Sequence, residues 1–212
     1  MRVTDHSKLT ARGAILDGIQ HITEEFPRSP NEEFKFIRIF VKSAMLINRI
    51  MSANKKPEDS AEDAADMLFS VIVRKEFHSE EALPALKSGF RSFLGWFPAV
   101  VKTSSQLTEG RVAIVPLDSP DDFRLFMDAA FRSTRCTRFC VTEQGYFGLV
   151  PLCADVNDEI ALFDGGQVPF VLRGSGGADG SYLLVGNGYF HGFMDKQRER
   201  STAAESRDIS LV

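Results

Sequence analysis

Apolar residues recur along this chain at two different periods, and the change from one to the other near residue 135 separates a helical block from a strand block. In the first block, Phe34, Ile37, Val41 and Met45 form one helical stripe. Phe36, Phe40, Ile47 and Ile50 form another, so the pattern predicts a helix over 31–51 buried on most of its circumference. Ser29 to Glu32 has the form of a capping box with proline at the first helical position. After a polar linker from Asn54 to Asp59, Ala64, Leu68, Val71 and Ile72 predict a second helix over 60–74. A third, over 84–97, has Pro84 in its first turn and Leu86, Phe90, Phe93 and Phe97 on the helical period. Pro98 marks its end, because proline disfavours helical dihedrals in the residue before it. The segment 99–118 reads as loop with a short apolar piece at 112–115. Ser119 to Asp122 repeats the capping device, and Phe123, Phe126, Met127 and Ala130 line a fourth helix over 120–134.

From residue 138 the apolar runs shorten to 138–142, 146–150, 159–163, 168–173, 182–185 and 189–194, each about one strand long. The breaks at 143–145, 164–166 and 174–180 are rich in glycine and too short for parallel crossovers, so they are hairpin turns. The expected fold is α+β, a helical block packed on an antiparallel β meander or a small, partly open barrel. Residues 170–172 are apolar without alternation, which predicts a strand covered on both faces, and Pro169 belongs at its start or on an edge. Residues 8–22 keep both periods at once: Ile15, Ile19 and Ile22 are helically spaced, whereas Leu9, Ala11, Gly13 and Ile15 alternate. Beyond Asp195 nearly every residue is charged or small, so 196–212 is expected to be a disordered tail. The chain is thus expected to form one α+β unit over 1–195, its helical block at about 27–135 and its strand block at about 136–195.

Composition narrows the function classes. With 212 residues, 43% of them hydrophobic, the chain can bury a sizeable core. A net charge of −4 gives no basic footprint for nucleic acid. No apolar run reaches the roughly 18 residues of a membrane span, and the first ten residues lack a signal-peptide core, so the expected compartment is the cytoplasm. Three cysteines suit reduced thiols better than a disulfide framework.

Candidate chemistry is sparse. Cys136, Cys140, Cys153 and His191 could be drawn as a zinc set, but the spacing of Cys136 and Cys140 is marginal for a knuckle, and free cysteine is usually a small core residue. A nucleophilic Cys140 or Cys153 beside His191 would need an orienting group, and nothing in the spacing selects one from Asp158 or Asp164. The glycine-rich stretch Gly174 to Gly180 leads into a strand rather than a helix, which suits a hairpin loop and not a phosphate cradle. The acidic run at 58–66 complements a helix N-terminus. No metal, cofactor or catalytic residue is expected.

The strand block carries a family resemblance. Arg138, Phe139, Thr142, Gly145, Gly148, Leu149 and Pro151 make one motif block. Asp158, Ile160, Gly166, Pro169, Val171, Leu172 and Arg173 make a second, and Tyr182, Leu184, Val185, Gly186, Tyr189, Gly192 and Met194 a third. In this order and spacing they resemble the C-terminal region of fungal heterokaryon incompatibility proteins, the HET-domain proteins. Asn157 stands where that region usually has glycine, and Lys196-Gln197 replace its usual Gly-Glu. Leu9, Gly13, Asp17 and Ile19 match a segment that precedes the helical portion of those proteins, and the resemblance therefore favours a strand at about 8–19. The aromatic signature of the N-terminal HET domain is absent from this sequence, so the chain is expected to be the C-terminal region on its own, from a truncated gene or coding model. The resemblance implies a non-catalytic recognition or regulatory module in allorecognition and programmed cell death. Its partner would be a protein or a HET domain, in cis or in trans. Tyr189 and Phe190 are the expected partner surface, and Arg173 is expected to pair with Asp158 or Asp17. A small hydrolase-like enzyme using Cys/His chemistry is the alternative.

Overall fold

The computed structural model describes residues 2–5, 8–29, 32–53, 64–74, 78–104, 120–177, 179–191 and 206–212. The chain divides into two compact units: Phe26–Arg135 is one, and Met1–Glu25 with Cys136–Val212 is the other. The boundary after Arg135 falls at the change of period read from the sequence.

The helical unit holds α1 (Glu33–Ala53), α2 (Ala64–Val73), α3 (Leu83–Ser104) and α4 (Asp121–Thr134). Its core is built of phenylalanine: Phe36, Phe40, Phe69, Phe90, Phe93, Phe123 and Phe126 are buried. Their rings meet in tilted and edge-on pairs, Phe40 with Phe93 at 5.0 Å and Phe90 with Phe126 at 5.3 Å, geometry that suits aromatic quadrupoles. Phe36, Ile37, Ile39, Phe40 and Ile47 of α1 are buried and Val41 and Ile50 half-buried, while Phe34 and Met45 of the first stripe are exposed. Glu32 closes part of the capping box, its carboxylate accepting from the Arg28 N–H at 3.2 Å. At α4 the cap residue is Pro120, without a side-chain hydrogen bond, and Asp122 instead accepts from the Ser88 hydroxyl. Helix α3 continues through Pro98 to Ser104 where the sequence predicts a stop. The lost N–H and ring clash weaken a helix at proline without forbidding one that is already propagating. The acidic run before Ala64 and the apolar piece at 112–115 lie outside the described residues.

The second unit is a barrel. Strand β1 (Arg2–Asp5) pairs with β2 (Lys8–Glu25), which runs six residues beyond its expected end at Ile19. Strands β3 (Thr137–Thr142), β4 (Phe147–Pro151), β5 (Glu159–Phe163), β6 (Phe170–Gly174), β7 (Tyr182–Asn187) and β8 (Tyr189–Phe190) follow the predicted runs closely. The last expected run is described as strand only at 189–190; Gly192 and the residues up to 205 lie outside the described set. All pairings among β3 to β8 are antiparallel, and the predicted turns are present.

The connectivity is not one meander. Strand β4 pairs with β3 and β8, and the chain crosses to β5 without pairing them; β5, β6 and β7 then form a three-stranded meander. The expected disordered tail also contains strand β9 (Arg207–Leu211), antiparallel to β2 and in parallel contact with β7. Because β2 pairs with both β9 and β5, the ring β2-β5-β6-β7-β9 closes as a five-stranded barrel. Ile209 and Leu211 supply the apolar positions that make β9 a strand, packing inward with Ala161 and Leu172. The alternation of this short segment is hidden in sequence by the charged residues around it.

Candidate functional site

The long strand β2 forks. Up to Gly18 it pairs with β5, and from Ile19 it pairs with β3, with register irregularities on either side of the switch. A fork of this kind leaves backbone groups without ladder partners, and side chains and turns must satisfy them. Asp17, 8% exposed, accepts from the Gly18 N–H at 2.8 Å and from the Gln144 N–H at 3.4 Å. The β3–β4 turn completes the arrangement: Glu143 N–H donates to the Gly18 carbonyl at 2.9 Å, and Gln144 Nε2 donates to the Leu16 carbonyl at 2.9 Å.

Between this turn and the start of β5 opens a cleft of about 380 Å³, lined by Ile15, Leu16, Asp17, Gly18, Glu143, Gln144, Asn157 and Glu159. Its polar groups are carboxylates and amides, suited to accepting hydrogen bonds from a cationic or amide-bearing group. The sequence motifs place Asp17 among the family-like positions, but Glu143, Gln144 and Glu159 carry no signal that long-range pairing would bring them together.

The loop from Leu152 to Asp158 is held from two sides. Arg138, on β3, donates from Nε to the Thr23 carbonyl at 2.7 Å and from Nη1 to the Ala154 carbonyl at 3.0 Å. Arg173, on β6, grips Asp158 with both arms, Nε to Oδ1 at 2.7 Å and Nη2 to Oδ2 at 2.8 Å, and Nη2 also reaches the Cys153 carbonyl at 2.7 Å. Of the two carboxylates expected for Arg173, the partner is Asp158, and Asp17 serves the fork. Asp158 is 2% exposed and also accepts from the Asp155 N–H at 2.8 Å. The hydrogen bond to Asp158 raises the Arg173 guanidinium pKa further above its ordinary value. The loop is finally stitched to β2 through Asn157 N–H to the Ile19 carbonyl and Ile19 N–H to the Asp158 carbonyl, both 2.9 Å. Asn157, the departure from the family pattern, has φ +71°, a conformation in which asparagine is the commonest substitute for glycine.

The remaining motif residues are architectural. Gly145 and Gly166 sit in the β3–β4 and β5–β6 turns, Pro151 packs on Gly186, and the Pro169 carbonyl accepts from Gly188 N–H. At Gly148, β4 and β8 approach so closely that a Cβ would lie 2.4 Å from the Tyr189 carbonyl oxygen. Tyr189 and Phe190, expected as a partner surface, are 3% and 0% exposed. That expectation is corrected: the rings of this short strand are core, with Phe190 packed among Ile19, Cys140, Val150 and Val171. Among the described residues, the exposed large apolar side chains of this unit are instead Val156, Leu183, Leu184 and Val212.

The thiols are dispersed in environment. Cys140 is fully buried, and desolvation pushes its pKa far up. Cys153 is exposed and directs Sγ to the Val185 carbonyl at 3.6 Å, and Cys136 is exposed in the turn before β3. His191 N–H donates to the Phe147 carbonyl. Among the described residues no group of three or more His, Cys, Asp or Glu side chains is placed to hold a metal ion. No helix among them is long and apolar enough to cross a membrane.

Comparison with known proteins bears on this architecture directly. Residues 121–212 match the Het-6 β-barrel domain family. The chain is 26% identical over 228 aligned positions, covering 94% of its length, to "Heterokaryon incompatibility protein 6, OR allele" of Neurospora crassa. It spans 32% of that relative's length. No solved structure matches. The C-terminal part of the chain is thus similar to a Het-6 β-barrel domain, in line with the likeness read from the sequence motifs. Strand β2, which closes the ring, lies outside the matched stretch.

Proposed function

We propose that this chain is a non-catalytic recognition or regulatory module of heterokaryon incompatibility, acting in the cytoplasm on a protein partner or a HET domain, in cis or in trans. One observation carries the reading: similarity to a heterokaryon incompatibility protein extends along 94% of the chain, through both the helical and the barrel units. The use of the charged motif residues supports it. Arg138, Arg173 and Asp158 are consumed in fixing the loop between β4 and β5, which leaves a braced surface rather than a set of poised reactive groups.

The test is expression of the tagged full chain in a filamentous fungus, with recovery of bound proteins and scoring of cell viability after hyphal fusion. Specific capture of one protein and a change in viability are the expected results. Turnover of a panel of ester and amide substrates, lost on Cys153→Ser, would overturn the reading in favour of hydrolase chemistry.

A further inference from the structure

Strand β9 enters the barrel from the end of the sequence, and its two sides are held unequally. On one side it pairs with β2 over five residues, from Leu9 with Leu211 to Gly13 with Arg207. On the other it meets β7 at Tyr182 alone: the single parallel bridge with Leu211, the Val212 N–H donating to the Tyr182 carbonyl at 2.9 Å, and Arg207 Nη2 donating to the Tyr182 hydroxyl at 3.5 Å. Two side chains anchor it inward, Ile209 at 2% and Leu211 at 7% exposure. It is therefore the stave whose withdrawal opens the ring while leaving β5, β6 and β7 paired.

From this topology we propose that β9 is exchangeable, and that its groove between β2 and β7 takes the β9 of a second copy of this chain. The groove fits that occupant by construction, because every contact made in cis is available unchanged in trans. Reach does not oppose it: sixteen residues separate Phe190 from Arg207, and a chain of that length can extend to roughly 50 Å. Exchange conserves the native contacts, so the balance between monomer and dimer is set by protein concentration and by transient opening of β9. This goes beyond the recognition reading and stands independently of it.

The experiment uses the full chain carrying Arg12→Cys and Asp208→Cys, exposed register partners across β2 and β9, with Cys136→Ser and Cys153→Ser to remove the exposed native thiols. Samples are concentrated or briefly unfolded and refolded, sized by light scattering, and then joined by oxidation or a short bis-maleimide. The expected result is a species of doubled mass whose share rises with concentration and whose new link joins two chains on a non-reducing gel. A strictly monomeric chain at every concentration overturns the proposal. So does a dimer in which the link closes within each chain, since that dimer would use another surface. Thr10→Cys with Ser210→Cys, also register partners, repeats the test should the first pair perturb folding.

Discussion

Arg173 and Asp158 differ in what each loses when the other is removed. The Arg173 side chain is 41% exposed and can turn to water, whereas Asp158 is 2% exposed and cannot. Replacing Asp158 by alanine removes two guanidinium bonds and the acceptor of the Asp155 amide, and is expected to cost about 2 kcal/mol. Arg173→Met strands a buried carboxylate and should cost more, about 3 kcal/mol or above. Denaturant midpoints of both variants check the order; equal losses would mean that the carboxylate finds water. A second pair behaves differently. Lys8, helped by Ser181, holds the Asp179 carboxyl down at about pKa 2, and both members of the ion pair are exposed. Unfolded aspartate titrates near 3.9, so any stability from this contact is present above about pH 4 and fades as pH falls toward 2. An NMR titration of Asp179 should show that low midpoint, moved upward by Lys8→Met and by high salt. The Arg173 pairing was legible in sequence because a cation ending an apolar strand needs a carboxylate. The choice between Asp158 and Asp17 was not, since it depends on which strand crosses β2 at the fork.

At the scale of elements, strands β3 to β7 were legible because glycine turns cut the apolar runs to strand length, and local chemistry decides such boundaries. What escaped were features decided by distant partners. Strand β9 has five residues, of which only Ile209 and Leu211 are inward, and its pattern carries no weight until β2 is beside it. Residues 8–22 satisfied both periods, and pairing with β3, β5 and β9 resolved them as strand. An aromatic pair near the end of a strand block has the pattern of an interface anchor, and the sequence alone therefore turns Tyr189 and Phe190 outward. Their burial follows from pairing with Leu149 and Gly148. That pairing makes a sharp test of the β4–β8 approach. Gly148→Ala forces a methyl to within 2.4 Å of the Tyr189 carbonyl and should destabilise by about 1–3 kcal/mol. Gly174→Ala, with nothing within 4 Å of the added carbon, should stay within about 0.5 kcal/mol. Thermal unfolding of the two variants side by side separates a packing demand from a generic intolerance of side chains.

For the molecule as a whole, the recognition reading needs a surface, and burial of Tyr189 and Phe190 moves it elsewhere. Leu183 and Leu184 on β7 are 45% and 50% exposed, whereas Tyr182 and Val185 of the same strand pack against the core. Successive strand residues face opposite ways, so each leucine is tested as a separate anchor, and a few apolar side chains usually carry most of an interface. Introducing a charge at these positions costs the fold little, because both side chains are already about half exposed to water. Leu183→Asp and Leu184→Asp should therefore leave the unfolding midpoint within about 0.5 kcal/mol of the parent while weakening partner capture by roughly tenfold or more, a loss of about 1.4 kcal/mol or above. Tyr189→Ala serves as the contrast: it removes a buried ring and should lower stability by about 3 kcal/mol, so any loss of capture there reports on folding. Capture that survives both leucine substitutions, with folding intact, would remove β7 as the contact surface and direct attention to the helical unit, where Phe34 and Met45 are exposed.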